Sequence, residues 1–228
     1  MFLSAVLGLK DFNDLRSAAF HPQVHNFGNI GFGGRVHAHV AEFATDLIDR
    51  AAYKKPLRPL LAKHIAKSRP NGLVLDVGCG VGTLTREVHD AGMRVIGIDA
   101  SAEMIEMAEK KNPDLQFRVQ NAADVDGEEQ FDVAVACMLA HELPTSAHYE
   151  LLNRMISCTE RNKGDVWISD IVPTYRPSQL MLSGEPYIEN YLKTFSKTIQ
   201  GVCEVNGLSL EFYEIVFDRV IAYKITRF

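Results

Sequence analysis

Apolar residues recur along the chain with two different periods. Val40, Phe43, Ala44, Leu47, Ile48 and Ala51 fall at three- and four-residue steps, the spacing that lines one face of a helix. Pro56 suits the first turn of a second helix, with Leu57, Leu60, Leu61 and Ile65 on its apolar face, and Pro70-Asn71-Gly72 ends it. From residue 73 the pattern changes. Short apolar runs at Leu73–Val77, Val95–Ile98, Leu115–Val119, Phe131–Cys137 and Asp165–Ile171 read as buried strands. Between them lie helical periods near residues 82–91, 101–111 and 146–158, the last turning Leu151, Leu152, Met155 and Ile156 inward. Such alternation predicts a parallel sheet with helices on both faces.

The two ends depart from that rhythm. After Ile171 comes an irregular loop, and Pro186 then opens a helix carrying Ile188, Tyr191, Leu192, Phe195 and Ile199. Leu208–Phe217 and Val220–Thr226 are strand-like runs joined by a short turn near Asp218, which predicts an antiparallel hairpin. Residues 1–35 are the least regular part, with a helix expected over Leu3–Ser17 and a glycine-bearing loop from His21 to Gly34. Two units are expected: residues 1–53 as a cap or lid, and 54–228 as the α/β domain.

Charge narrows the choice of partner. With 24 basic and 29 acidic residues the net charge is −5. Lys54, Lys55, Lys63, Lys67 and Arg69 are spread along a helix as a solvated face. A basic stripe of the kind that grips a phosphate backbone is missing, so nucleic acid is not expected as a partner. No apolar run approaches the ~20 residues that span a bilayer, and Met1–Leu9 lacks the basic start of a secretory signal. Cys79, Cys137, Cys158 and Cys203 have no metal-type spacing and fall within apolar segments, so buried free thiols and a cytoplasmic setting are expected.

The chemistry concentrates in Val74-Leu-Asp-Val-Gly-Cys-Gly-Val-Gly82, which follows the first strand and leads into a helix. Glycines at 78, 80 and 82 allow a tight turn and a close backbone approach to a ligand. The helix start adds unpaired N–H groups and a partial positive end. Dinucleotide sites are written G-x-G-x-x-G, whereas here Thr83 stands at the third position of that pattern. Asp76, two residues before the first glycine, sits badly beside a pyrophosphate but suits an amine or a sulfonium. Val95-Ile-Gly-Ile-Asp99 ends a second strand in an acid that can accept from both hydroxyls of a ribose.

Together these residues resemble the class I S-adenosylmethionine-dependent methyltransferases, over residues 73 to about 171. The resemblance implies a Rossmann-like doubly wound sheet of seven strands, mostly parallel, with an antiparallel C-terminal hairpin. It also implies S-adenosylmethionine as cofactor and S-adenosylhomocysteine as product. By that resemblance Asp76, Gly78, Cys79, Gly80 and Gly82 hold the methionine part, and Asp99 the ribose. Ala100 and Met104 pack beside the adenine. Asn121 stands where the family usually has an acid that accepts from the adenine amino group, with Ala122 supplying a backbone N–H. The strand ending in Cys137 and the residues after it face the reacting methyl.

Methyl transfer needs a nucleophile aligned with the methyl–sulfur bond, and a base where the acceptor carries a proton. His141 and Glu142, just past the fourth strand, are the candidate catalytic residues, His141 orienting or deprotonating the acceptor. Acceptor contacts are expected from the N-terminal segment, at His25, Phe27 and His37, and from Tyr175 and Tyr187 after the fifth strand. No metal is expected, because His37 and His39 are two apart and no acid is suitably spaced. The sequence thus points to methylation of a small molecule on O, N or S. A side-chain methyltransferase acting on proteins, or a catalytically silent methyltransferase-like scaffold, are the alternatives.

Overall fold

The computed structural model describes residues 56–125, 131–159 and 164–227. Its elements in chain order are α1 (Leu57–Ser68), β1 (Leu73–Val77), α2 (Thr83–Asp90), β2 (Arg94–Asp99), α3 (Ala102–Lys111), β3 (Gln116–Val119) and β4 (Val133–Cys137). These are followed by α4 (Thr145–Ser157), β5 (Asp165–Ile171), α5 (Gln179–Gly184), α6 (Ile188–Asn206), β6 (Leu208–Val216) and β7 (Val220–Arg227). The helix expected over 3–17, the one over 40–51 and the cap unit 1–53 lie outside the described residues.

One seven-stranded sheet runs in the order β3-β2-β1-β4-β5-β7-β6. Strands β1 to β5 are parallel, while β7 is antiparallel to both β5 and β6. The last strand of the chain, not the one before it, therefore sits against β5. Every residue of β4 and β5 is buried, as expected of central strands covered on both faces. The chain reverses its direction of winding between β1 and β4, and the crevice outside their C-terminal ends is where doubly wound sheets take ligands.

At the opposite edge a buried carboxylate ties three elements together. Asp165, at the start of β5 and 1% exposed, accepts from Ser68 Oγ and from Arg69 Nη2, the latter at 2.8 Å, and Lys224 Nζ of β7 stands 3.6 Å away. That link fixes the exit of α1 against the sheet from below and leaves the upper edge to the site.

Local chemistry explains where boundaries differ from expectation. Asp132 accepts the Leu73 N–H through its side chain at 2.7 Å, so Phe131 makes only an isolated bridge to Thr159 and β4 begins at Val133. Helix α5 falls where an irregular loop was expected. Its six residues are too few to show a period, yet the Ser178 hydroxyl caps it by accepting from Met181 N. The four cysteines are buried.

Candidate active site

The glycine loop between β1 and α2 is built asymmetrically. Gly78, Gly80 and Gly82 have φ of +69°, +53° and +76°, the left-handed region that disfavours a side chain. A Cβ at Gly78 would lie 2.8 Å from Leu139 Cδ2, and one at Gly82 would lie 2.8 Å from Phe117 Cζ, whereas at Gly80 nothing stands within 4 Å. The outer glycines are demanded by packing, and the middle one faces open space. Main-chain bonds hold the loop on the end of β2: Gly78 N and Cys79 N both donate to Ile98 O at 2.9 Å, and Gly80 N donates to Asp99 Oδ2 at 2.9 Å. Helix α2 starts after Gly82 without a side-chain cap, which leaves its positive end to a ligand carboxylate.

Two carboxylates face this loop from the strand ends. Asp76 is 1% exposed and accepts from Thr85 Oγ1 at 2.7 Å. Burial pushes its pKa up to about 6 against the Thr85 hydrogen bond and the Arg58 charge, and Asp99 pushes it further up. Asp99 is half-buried, its Oδ1 accepts Ser101 N at 2.9 Å, and burial raises its pKa too. Two desolvated acids that repel each other are relieved by a cation. The ammonium and sulfonium of S-adenosylmethionine fit that requirement, and the open face of Gly80 fits its close backbone approach.

On the adenine side, Met104 is buried beside Val81 and Met107 and its N–H is held by Ser101 Oγ, while Ala100 and Ala122 are half-buried. Asn121 also has a local role. Its Oδ1 accepts Ala123 N at 2.9 Å as the cap of a short 3-10 turn over Ala122–Asp124, so the oxygen assigned to the adenine amino group is shared with local structure. Cys137 ends β4, buried, paired with Ser169 of β5.

The acceptor edge holds residues that the sequence reading missed. His141 and Glu142 lie in a 3-10 turn over Ala140–Glu142 after β4, as their position implied. His141 is 3% exposed. Its Nδ1 lies 2.6 Å from Asp170 Oδ1 and its Nε2 lies 3.3 Å from Glu185 Oε2. Burial pulls the ring toward neutrality, but Asp170, Glu185 and Glu142 outweigh it and push its pKa up to about 10. The carboxylates at its two ring nitrogens favour the imidazolium, which has no lone pair to take a proton but can still orient an acceptor. Glu142 is half-buried, and desolvation pushes it up to about 7 against the His141 charge.

Asp170 left a signal in the sequence, an acid inside the mostly apolar run Val166–Ile171. Glu185 left none, because only the path of α5 and α6 brings it over the strand edge. Tyr175 and Tyr187 are half-buried near this edge, and Arg219 lies 5.9 Å from the Tyr175 ring centroid. Tyr191 is a core residue, its hydroxyl donating to Ile171 O at 3.0 Å and its ring stacked on Phe195. His25, Phe27 and His37 lie outside the described residues.

Sheet order, glycine loop and paired acids define a doubly wound α/β protein that takes a cationic, ribose-bearing ligand at its switch point. Residues 74–162 match the family described as Methyltransferase domain. That stretch is a methyltransferase domain, and the seven-stranded sheet around it is the Rossmann-like fold of S-adenosylmethionine-dependent methyltransferases. Over 152 residues it is 25% identical to an uncharacterized methyltransferase of Alkaliphilus oremlandii, covering 67% of this chain and 65% of that protein. Over 149 residues it is 30% identical to a ubiquinone biosynthesis O-methyltransferase of Actinobacillus pleuropneumoniae, covering 58% of this chain and 61% of that one. The chain thus spans less than two thirds of the length of these relatives. A TehB-like SAM-dependent methyltransferase from Corynebacterium glutamicum shares the fold with a TM-score of 0.62 at 19% identity, over 85% of this chain and 99% of that one.

Proposed function

We propose that the protein transfers the methyl group of S-adenosylmethionine to a small-molecule nucleophile. The observation that carries this reading is the open face of Gly80 beside the buried Asp76 and the half-buried Asp99. When bound, the cofactor supplies an activated methyl on a positive sulfur. The chain's own residues bind, orient and exclude water. Asp99 takes the ribose hydroxyls, Asp76 and the backbone of Gly78 to Gly82 take the methionine end, and Ala100 and Met104 flank the adenine, with Asn121 and Ala122 at its edge and Cys137 below the methyl. His141 orients the acceptor as a fixed donor, and Glu142 sits within the same turn with a pKa suited to proton exchange near neutrality. Tyr175 and Tyr187, with His25, Phe27 and His37 of a 1–53 cap, form the acceptor wall.

A small acceptor is favoured by the acidic net charge of −5 and by the resemblance to an O-methyltransferase of a small-molecule pathway. Among the described residues no helix is long and apolar enough to cross a membrane, and a cytoplasmic setting is part of the proposal. Calorimetry with S-adenosylmethionine, S-adenosylhomocysteine and NAD, alongside Asp99→Ala, tests it. Both adenosyl ligands are expected to bind at micromolar levels or tighter, with binding lost in the variant and absent for NAD. Failure of both to bind overturns the reading in favour of a silent scaffold.

A further inference from the structure

His141 uses its two ring nitrogens unequally. Nδ1 is committed, 2.6 Å from Asp170 Oδ1, and Asp170 Oδ2 also accepts the His141 main-chain N–H at 3.2 Å. Nε2 lies 3.3 Å from Glu185 Oε2, yet that oxygen is buried and accepts no hydrogen bond from any of the described residues. The N–H of Nε2 therefore passes beside the carboxylate oxygen, not into it. An atom placed about 2.8 Å from both completes a triangle on that contact at ordinary hydrogen-bond lengths. It must accept from the ring and donate to the carboxylate. An ammonium only donates and an ionised carboxylate only accepts, whereas a hydroxyl does both.

Building on the methyltransferase reading, we propose that the acceptor reacts through a hydroxyl oxygen held between His141 Nε2 and Glu185 Oε2, and that Glu185 takes its proton. As the methyl–oxygen bond forms, the methyl–sulfur bond breaks and its electron pair stays on sulfur. The O–H bond breaks, its electron pair stays on oxygen, and the proton ends on Glu185. Sulfonium, hydroxyl and carboxylate thus become thioether, ether and carboxylic acid, so charge balances. His141 remains protonated throughout and its fixed charge opposes the negative charge building on oxygen.

The surroundings agree with those roles. Burial raises the Glu185 pKa, with Asp170 adding to the rise and His141 opposing it, which makes this carboxylate a better proton acceptor than an exposed one. The other ring beside His141 within this cluster, Tyr191, already donates its hydroxyl to Ile171 O. His148 turns Nε2 to Ala140 O at 2.8 Å, and burial lowers its pKa, so it adds no competing charge. A carboxylate base suits hydroxyls of phenol or enol acidity, near 10 on the tyrosine scale, far better than alkanols. Asp170 is a positioning residue that keeps His141 charged.

The test uses the full chain saturated with S-adenosylhomocysteine, histidine-ring NMR from about pH 6 to 10, and 4-nitrophenol against 4-nitrobenzylamine as probes. His141 is expected to stay protonated through about pH 8 and to titrate lower in Asp170→Asn. Glu185→Gln is expected to keep adenosyl affinity within about twofold while methyl transfer to 4-nitrophenol falls at least a hundredfold. A wild-type His141 titrating near its ordinary value, or 4-nitrobenzylamine occupying the site in place of the phenol, overturns the assignment and leaves methyl transfer standing. Loss of S-adenosylhomocysteine binding itself would instead remove the reading beneath it.

Discussion

Asp170 holds His141 twice, through Nδ1 at 2.6 Å and through the main-chain N–H at 3.2 Å, and the same Asp170 Oδ1 accepts Ile171 N at 2.7 Å. The end of β5 and the turn after β4 are thereby locked in one register. The lock brings a buried charge to the edge where the acceptor must dock, and it sets the pH behaviour of the molecule.

Stability of the ligand-free protein is expected to fall as pH rises from about 4 to 10. Asp76 and Glu142 have folded pKa values raised to about 6 and about 7 from 3.8 and 4.5. Their contribution is present below the unfolded values and lost as pH rises through the folded ones. His141, raised from 6.5 to about 10, adds stability below 6.5 that is lost as pH rises through about 10. Urea unfolding at about pH 5, 7.5 and 9.5 measures the slope, and Asp170→Asn should flatten its alkaline part.

S-adenosylmethionine should reverse part of that slope. A cation beside Asp76 and Asp99 stabilises their charged forms, so the ligand-induced rise in Tm should be larger at about pH 8 than at about pH 5. Thermal unfolding with saturating ligand at both pH values checks the direction. Equal rises would show that the acids do not meet the cation.

Two alanine substitutions in one loop should separate packing from binding. Gly82→Ala forces a Cβ to within 2.8 Å of Phe117 Cζ and 3.0 Å of Asn112 Nδ2, on top of left-handed strain, and should cost about 3 kcal/mol. Gly80→Ala carries only the strain, about 1–2 kcal/mol, but its methyl projects into the open face and should weaken adenosyl binding at least tenfold. Denaturant unfolding paired with calorimetry distinguishes them.

Far from the site, Arg69→Met should destabilise the protein by about 3 kcal/mol, because it strips the closest cation from a carboxylate that is 1% exposed. Adenosyl affinity should be unchanged in whatever fraction stays folded. A cost under about 1 kcal/mol would mean that Lys224, 3.6 Å away, neutralises Asp165 unaided.

The strands β1 and β5, the C-terminal hairpin and the glycine loop were legible because each rests on local physics. Leu73–Val77 is a short apolar run closed by glycines, and Asp76 and Asp99 are acids at strand ends whose spacing survives in one dimension. The resemblance that these residues carry was enough to give family, cofactor and sheet class. Helix α5 escaped because its six residues show no period, and the start of β4 shifted because a side chain, Asp132, took over a main-chain partner. What the tertiary structure alone decided is the electrical state of the acceptor edge. His141 reads in the sequence as a group that orients or deprotonates the acceptor, yet its charge depends on Asp170 and Glu185, which only the register of β4 against β5 and the path of α5 into α6 bring to its two nitrogens. A pKa is set by distance and burial, and neither is written in the order of residues.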